Sequence, residues 1–317
     1  MKVINGPEYE HGLSLALGYF DGIHLGHAVV IKNAVKFAAE NAVKSGVVLF
    51  RTNPKQFFSK EYADNIIELN DKLNMLSKLG VDNVYLLDFD SELAEMSAED
   101  YFRDIIYNFF KPSAITTGFN HTFGKKGEGN NELLEKYSKE YNFRYFSVPP
   151  VTANNHDISS SIIRKALKSC DFSLAKDLLG YYFYIKSPVI RGKQIGRTIN
   201  YPTANLVYPQ NIINIDTGVY FVYVNTGGNT YRGIMNYGHR PTVDKSEALI
   251  PEVHLLDFSG NLYGNIIKIS FVAKIREEQR FESLQKLKEQ LEKDSIFAKN
   301  YSVKSEKDED EHPLNGF

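Results

Sequence analysis

Short apolar runs separated by longer stretches of helical spacing fill the first half of the chain. SLALGYF (14–20), SGVVLF (45–50), NVYLLDF (83–89), SAITTGF (113–119) and FRYFSVP (143–149) are predicted strands. Helical patterns over about 26–44 and 71–79 fall between them. Strands that alternate with helices predict parallel crossover units, hence an α/β doubly wound sheet. Ligands of such sheets sit at the carboxyl ends of the strands.

The pattern changes near residue 180. YYFYIKSPVI, GVYFVYVN, YRGIMNYG, VHLLDF and IIKISFVAKI are strand-like runs without helices between them. Closely spaced strands of this kind predict a small antiparallel β-barrel. Ser259, Gly260 and Asn261 between two of these runs predict a hairpin turn. A C-terminal helix carries Phe281, Leu284, Leu287 and Leu291 on one face, as a core-packing helix would. The boundary is expected within 169–184, after a short helix beginning near Ser160. That gives domains over 1–175 and 180–303. The remainder, 304–317, is charged and without apolar periodicity, and reads as a solvated, disordered tail.

Composition narrows the function classes. With 43% apolar residues the chain can build real cores, and no run approaches the ~20 apolar residues of a membrane span. The start is polar, without the apolar core of a signal peptide, so a cytoplasmic location is expected. A formal charge of −2 with mixed signs argues against a nucleic-acid partner. Cys170 is the one cysteine, which excludes an intramolecular disulfide and a cysteine zinc site. A half-buried thiol near a helix end is expected for it.

The most informative segment of the first half is GYFDGIHLGH (18–27). A strand ends, Gly18, Gly22 and Gly26 allow a tight turn, and His24 and His27 stand at the entrance to a helix. Backbone N–H groups at a helix N-terminus hold anions, and both histidines can face phosphate oxygens there. A metal-binding histidine pair and a plain structural turn are the alternatives. Farther on, ISSSIIR (158–164) offers Ser159, Ser160 and Ser161 as helix caps or anion donors, with Arg164 supplying a fork of donors.

Together these two segments resemble the bacterial bifunctional riboflavin kinase/FAD synthetase family, within the HxGH nucleotidyltransferase superfamily, whose domain is Rossmann-like. The resemblance implies that Gly18, Phe20, Asp21, Gly22, Gly26, Ser159, Ser160 and Ser161 surround a nucleotide. His24, His27 and Arg164 would then act on its phosphates. GFNHTFG (118–124) is similar to the family's flavin-side loop, with Asn120 and Phe123 at flavin-binding positions and His121 where an aromatic is usual. FRTNPKQFF places Asn53 where the family has the histidine of Pro-His-Pro. Asparagine donates a hydrogen bond but carries no charge.

The second half adds GKQIGRTINYPTANL (192–206), which resembles the riboflavin kinase signature. Thr203 and Asn205 lie two apart, on one side of an extended backbone, and oxygen ligands of this kind suit Mg²⁺ held together with ATP phosphates. The resemblance gives them that metal role, and gives Gly192, Gly196 and Arg197 a phosphate-covering loop, with Asn200 in place of a usual glycine. In PEVHLLDFSGNLYG (251–264), Glu252 matches the family's base for the riboflavin 5′-hydroxyl. His254 is expected to be structural, and Arg276 to help close a flavin pocket. The implied activities are phosphorylation of riboflavin to FMN and adenylylation of FMN to FAD, with ATP and Mg²⁺. A riboflavin kinase with a degenerate first domain and a non-catalytic flavin-binding protein are the alternatives.

Overall fold

Continuous burial, rather than alternation, marks the central strands of the first half. All four residues of Ser14–Leu17 are buried, as are five of the six in Ser45–Phe50. Such strands need cover on both faces, which is the signature of a parallel sheet. The computed structural model describes residues 1–6, 8–59, 64–191, 201–239 and 249–302, and divides into units that meet at Ile162 and Ile163.

In the first unit, β1 (Lys2–Ile4), β2 (Ser14–Leu17), β3 (Ser45–Phe50), β4 (Asn83–Leu87), β5 (Ala114–Gly118) and β6 (Arg144–Val148) form one sheet. Its order is β1-β4-β3-β2-β5-β6 and every pairing is parallel. From β2 the chain steps outward to β3 and β4, then returns to set β5 on the other side of β2. The order therefore reverses between β2 and β5, and the crevice beyond Leu17 and Gly118 is the topological switch point. The helix Leu25–Glu40 buries Ala28, Val30, Ile31, Ala34 and Ala38. A short ribbon of β7 (Thr152–Ala153) and β8 (His156–Asp157) turns at Asn154 and Asn155, both at positive φ, which asparagine tolerates.

The second unit holds β9 (Tyr184–Pro188), β10 (Ala204–Asn205), β11 (Gly218–Thr226), β12 (Asn229–His239), β13 (Leu249–Leu255) and β14 (Ile266–Arg276). Their order is β10-β13-β12-β11-β14-β9, all antiparallel. The two edges of this sheet then meet. Ile190, just past β9, donates its N–H to the Asn205 carbonyl of β10 at 2.8 Å, and Val207 N–H donates to Ser187 Oγ at 2.8 Å. The sheet curls until its edges join, which removes the exposed edge of an open sheet. Strand β11 is buried on both faces. Tyr220 packs edge-on to Phe271 and to Phe172 of the helix Phe172–Leu179, while Phe221 meets Tyr301 beyond the helix Leu284–Asn300. Cys170, half-buried between the helices Ser160–Lys168 and Phe172–Leu179, lies 3.4 Å from the Tyr220 hydroxyl.

The structure corrects the sequence reading in three places. The expected strand over 14–20 stops at Leu17, because Phe20 adopts the left-handed region at φ 52° and the turn has begun. The hairpin expected at Ser259–Asn261 does not form: β13 and β14 are not neighbours, since β12 and β11 lie between them. The tight hairpin is instead Thr226–Asn229, where Gly227 and Gly228 at φ 57° and 78° supply the double positive φ of such a turn. Lastly, the C-terminal helix does not bury its leucine face. Leu284 is 58% exposed, and the buried positions are Asp294 and Ala298. The expected tail, 304–317, lies outside the described residues.

What positions the first-unit crevice is a lysine. Lys72, on the helix Leu69–Lys78, is 2% exposed. Its ammonium donates to the Tyr19 carbonyl at 2.9 Å and lies 3.8 Å from the centre of the Tyr19 ring. An ammonium taken out of water must be met by dipoles or charge, so this one holds the turn after β2 to the helix beneath it. The same segment reaches the turn twice more: Tyr19 Oη donates to Asn65 Oδ1 at 3.0 Å, and Ile66 N–H donates to the buried Asp21 carboxylate at 3.0 Å. Replacing Lys72 by methionine is expected to cost about 1–3 kcal/mol by leaving the Tyr19 carbonyl without its donor. Hydrogen exchange over 18–24 would quicken while exchange in β11–β14 stays as it was. Unaltered exchange over 18–24 would show that the ammonium does not hold the turn.

Candidate active sites

After Leu17 the chain makes a turn that side chains would resist. Phe20, Gly22 and Ile23 all have positive φ, at 52°, 77° and 35°. A Cβ on Gly18 would lie 3.0 Å from the Phe20 ring, and one on Gly26 would lie 3.3 Å from the His24 ring. The small residues therefore let Phe20 and His24 fold back onto the turn. His24 caps the helix Leu25–Glu40: its Nδ1 accepts the His27 N–H at 3.2 Å. An accepting Nδ1 puts the proton of the neutral ring on Nε2. The rings of His24 and His27 stack with centres 3.5 Å apart and planes 18° from parallel. Among the described residues no group of three or more His, Cys, Asp or Glu is placed to hold a metal ion. The geometry thus offers a helix N-terminus flanked by two imidazoles, the arrangement that accepts an anion.

The serine segment arrives at the same turn. Ser160 Oγ donates to the Asp21 carbonyl at 3.1 Å, and Ser159 Oγ accepts the Ile162 N–H at 3.3 Å as a cap. Segments separated by about 140 residues, 18–27 and 158–164, are thereby joined by one hydrogen bond. Ser161 is exposed, and Arg164 is half-buried one turn farther along the same helix.

Beside this turn a cavity of about 460 Å³ opens at the switch point. Gly18, Phe50, Phe58, Phe89, Tyr101 and Phe123 supply much of its wall. Asn53 also lines it, 5% exposed, but its Oδ1 accepts the Lys55 N–H at 3.1 Å and so caps the helix Pro54–Phe58. An asparagine is well suited to that N-cap. Asn120 is exposed and does not line the cavity. Phe123 is 7% exposed and is held by paired backbone hydrogen bonds with Gly129. Gly124 permits this loop: it has φ 74°, and a Cβ there would fall 2.5 Å from Ala98 Cα.

Two positioning residues carry no motif in the sequence. Lys72 holds the turn from below. Asn131 closes the other lip of the crevice, its Nδ2 donating to the Gly118 carbonyl at 3.1 Å, the Phe119 carbonyl at 2.9 Å and Ser147 Oγ at 2.9 Å. The one sequence signal for Lys72 is its place in an amphipathic helix on what proves to be the buried face. A charge on a buried face is a feature to ask about.

In the barrel unit Glu252 stands on β13 opposite Asn205 of β10 and Asn236 of β12. Thr203 Oγ1 donates to Glu252 Oε2 at 3.2 Å. His254 Nδ1 donates to the Pro202 carbonyl at 2.8 Å, which anchors the Pro202–Asn205 backbone to the strand carrying the carboxylate. A cavity of about 500 Å³ adjoins Thr203, walled by Val189, Leu255, Phe258 and Tyr263. Arg276 spends its fork on Asp294, with Nη2 at 2.8 Å and Nε at 3.1 Å, and Nη1 donates to the Glu277 carbonyl at 3.1 Å. Asp294 is 1% exposed, so this pair fixes the C-terminal helix to β14. Gly192, Gly196, Arg197 and Asn200 lie outside the described residues.

Comparison with known proteins bears on both units. The FAD synthetase family model matches residues 6–162, and the riboflavin kinase family model matches 179–302. A bifunctional riboflavin kinase/FMN adenylyltransferase of Haemophilus influenzae is 37% identical over 299 residues, 94% of this chain and 96% of its own. Its namesake in Bacillus subtilis is 37% identical over 90% of this chain and 92% of its own, and that of Escherichia coli K12 is 34% identical over 95% and 98%. A crystal structure from Streptococcus pneumoniae, described as a macrolide-efflux protein, superposes with a TM-score of 0.85 at 30% identity, covering 95% of this chain and 99% of its own. Among the described residues no helix is long and apolar enough to cross a membrane. With both family models matched in order and relatives aligned over nearly their whole length, the chain belongs to the bifunctional riboflavin kinase/FMN adenylyltransferase family.

Proposed function

We propose that the chain makes both flavin cofactors, phosphorylating riboflavin to FMN in the barrel unit and adenylylating FMN to FAD in the parallel-sheet unit. The observation that supports this reading is the hydrogen bond between Ser160 and the Asp21 carbonyl, which joins the two segments read as phosphate-binding at a switch point beside an aromatic cavity. Residues 1–175 are taken as the adenylyltransferase part and 180–303 as the kinase part. The substrates are ATP, riboflavin and FMN, with FAD the product, and the single thiol suits work in the cytoplasm.

In the adenylyltransferase the triphosphate would lie on the N-terminus of the helix Leu25–Glu40. His24 Nε2, His27 and Arg164 supply donors to phosphate oxygens that gain charge in the transition state. Gly18, Phe20, Asp21, Gly22 and Gly26 shape the turn, and Ser159, Ser160 and Ser161 cap the return helix. Asn53 acts through the helix it caps rather than as a charge. The isoalloxazine would enter the aromatic cavity against Phe123, within the usual 300–1,000 Å³ of small-molecule sites. Asn120, exposed and outside the cavity wall, would have to meet a polar part of the flavin from solvent.

In the kinase Glu252 would accept the proton of the riboflavin 5′-hydroxyl and orient that oxygen toward the γ-phosphorus. Thr203 donates its proton to Glu252, leaving the hydroxyl oxygen's lone pairs as ligands. With the Asn205 amide oxygen this is a hard, all-oxygen donor set, which fits Mg²⁺ shared with ATP phosphates. Bound there, Mg²⁺ would neutralise charge on the transferring phosphoryl group. The cavity beside Thr203 would then receive the nucleotide base, and Gly192, Gly196 and Arg197 would cover the phosphates. Arg276 bounds the flavin side through the helix it pins.

Chromatography of products from riboflavin, ATP and Mg²⁺ tests the whole reading. FMN is expected to rise before FAD, and FAD to form directly from added FMN. His24→Ala is expected to lower FAD formation from FMN by roughly 100-fold and leave FMN formation unchanged. A mutant that still made FAD at the parental rate would remove His24 from the chemistry. Glu252→Ala is expected to cut FMN formation by about 100-fold or more while riboflavin affinity stays within a few-fold. Equal losses in both would recast Glu252 as a binding residue.

A further inference from the structure

The aromatic cavity of the first unit contains one histidine that neither the fold nor the chemistry above uses. His121 lines it, two residues before Phe123 and on the lip of β5. Its backbone is fixed: the His121 N–H donates to the Gly118 carbonyl at 3.2 Å. Its ring lies 23° from parallel to the Phe123 ring with centres 5.9 Å apart, so the two form a graded wall. Burial pushes the imidazole pKa down to about 4, which favours the neutral ring. Nε2 is sealed from solvent and has no hydrogen-bond partner among the described residues.

A buried imidazole nitrogen without a partner costs on the order of 1–3 kcal/mol, and such a group asks for an explanation. Phenylalanine would fill the same wall at no polar cost. Any ligand that this aromatic cavity suits is flat and unsaturated. A flavin ring is flat too, but its pyrimidine edge alternates carbonyl oxygens with ring nitrogens. A neutral imidazole can donate or accept along that edge. A half-turn about Cβ–Cγ exchanges Nε2 with Cε1 inside the same ring outline, so a nitrogen can be turned to a ligand without moving the backbone.

We propose that His121 is the specificity residue of the adenylyltransferase cavity, hydrogen-bonding through a ring nitrogen to the polar edge of the bound isoalloxazine. The proposal rests on the reading of this cavity as the FMN site. It assigns His121 to recognition of FMN and not to transfer of the adenylyl group, since a group facing the ring is remote from the 5′-phosphate that reacts. It also accounts for a polar side chain kept in an apolar wall: Nε2 finds no partner among the described residues, and a bound flavin would supply one.

The test uses the full chain with His121→Phe and His121→Gln, the second of which restores an amide near the position of the ring nitrogen. The KM for FMN and the kcat of FAD formation are measured, with the KM for riboflavin in the kinase reaction as internal control. Thermal stability is followed on the same samples. For His121→Phe the KM for FMN is expected to rise about 10-fold, with kcat within about 3-fold and the kinase unaffected. His121→Gln is expected to recover most of that loss. His121→Phe is also expected to melt no lower than the parent, because it removes an unpaired polar atom from a buried wall. A parental KM for FMN in His121→Phe overturns the proposal, as does a fall in kcat with KM unmoved. A parent chain that makes no FAD from FMN overturns the reading beneath it, and that outcome is seen before any mutant is compared.

Discussion

The contact on which the first active site depends is between the Lys72 ammonium and the Tyr19 carbonyl. The turn after β2 leaves regular extended structure within three residues of Leu17. Phe20 and Ile23 sit at positive φ, a conformation that costs on the order of a kcal/mol or more per residue unless the surroundings enforce it. The enforcement comes from below, from one helix and the residues just before it: Lys72 on the carbonyl and ring of Tyr19, Asn65 on its hydroxyl, Ile66 on Asp21. A buried ammonium tolerates little displacement, because each tenth of an ångström lost from its acceptor leaves charge less compensated. The ammonium thereby ties the turn to the helix beneath it, and a pre-organised turn is what a donor array for a charged ligand requires.

The barrel unit meets the same demand by a different route. Its sheet is tied edge to edge through Ile190 and Asn205, and Asn205 is also the register partner of Glu252. The seam that closes the barrel therefore runs through Asn205, one of the two candidate metal ligands. Thr203 and His254 add side-chain links between the same edge segment and β13, to Glu252 and to Pro202. Closure and the candidate site share Asn205, so the position of the Glu252 carboxylate is set by strand pairing rather than by side-chain packing alone. On the opposite face Arg276 and Asp294 hold the C-terminal helix against β14, a bidentate pair whose planarity a lysine would not reproduce.

Much of this was legible in the sequence, for identifiable reasons. The strand over 45–50 emerged at its true limits because its apolar run is bounded by a polar residue on each side. The two candidate-site segments, 18–27 and 158–164, could be found because glycine and serine have strong local preferences at turns and helix starts. Strand order was not legible. Ser259–Asn261 has the composition of a hairpin, yet pairing in a barrel is decided by which strands fill its core, and β12 and β11 intervene. Nor was the burial of the last helix: periodicity reports an apolar face, but here the ion pair of Asp294 and the small Ala298 set which side turns inward. Lys72 and Asn131 were invisible because they hold the turn and the lip chiefly through backbone carbonyls, which every sequence has.

Asn53 shows how a local rule and a functional expectation are reconciled. Read against the family pattern it is a lost charge. In the structure it is a helix cap, its Oδ1 on the Lys55 N–H at the start of the helix Pro54–Phe58. That helix carries Phe58 to the cavity wall, and Phe58 packs on Phe89 across it. A five-residue helix has little stability of its own, so its cap matters more than in a long one. A histidine there would add charge near a triphosphate, but asparagine is the better cap. The positive field is already supplied by a sixteen-residue helix whose first turn is flanked by His24 and His27. At position 53 the side chain therefore fixes an aromatic cavity wall through the helix it caps, where the family pattern has a residue that can carry charge.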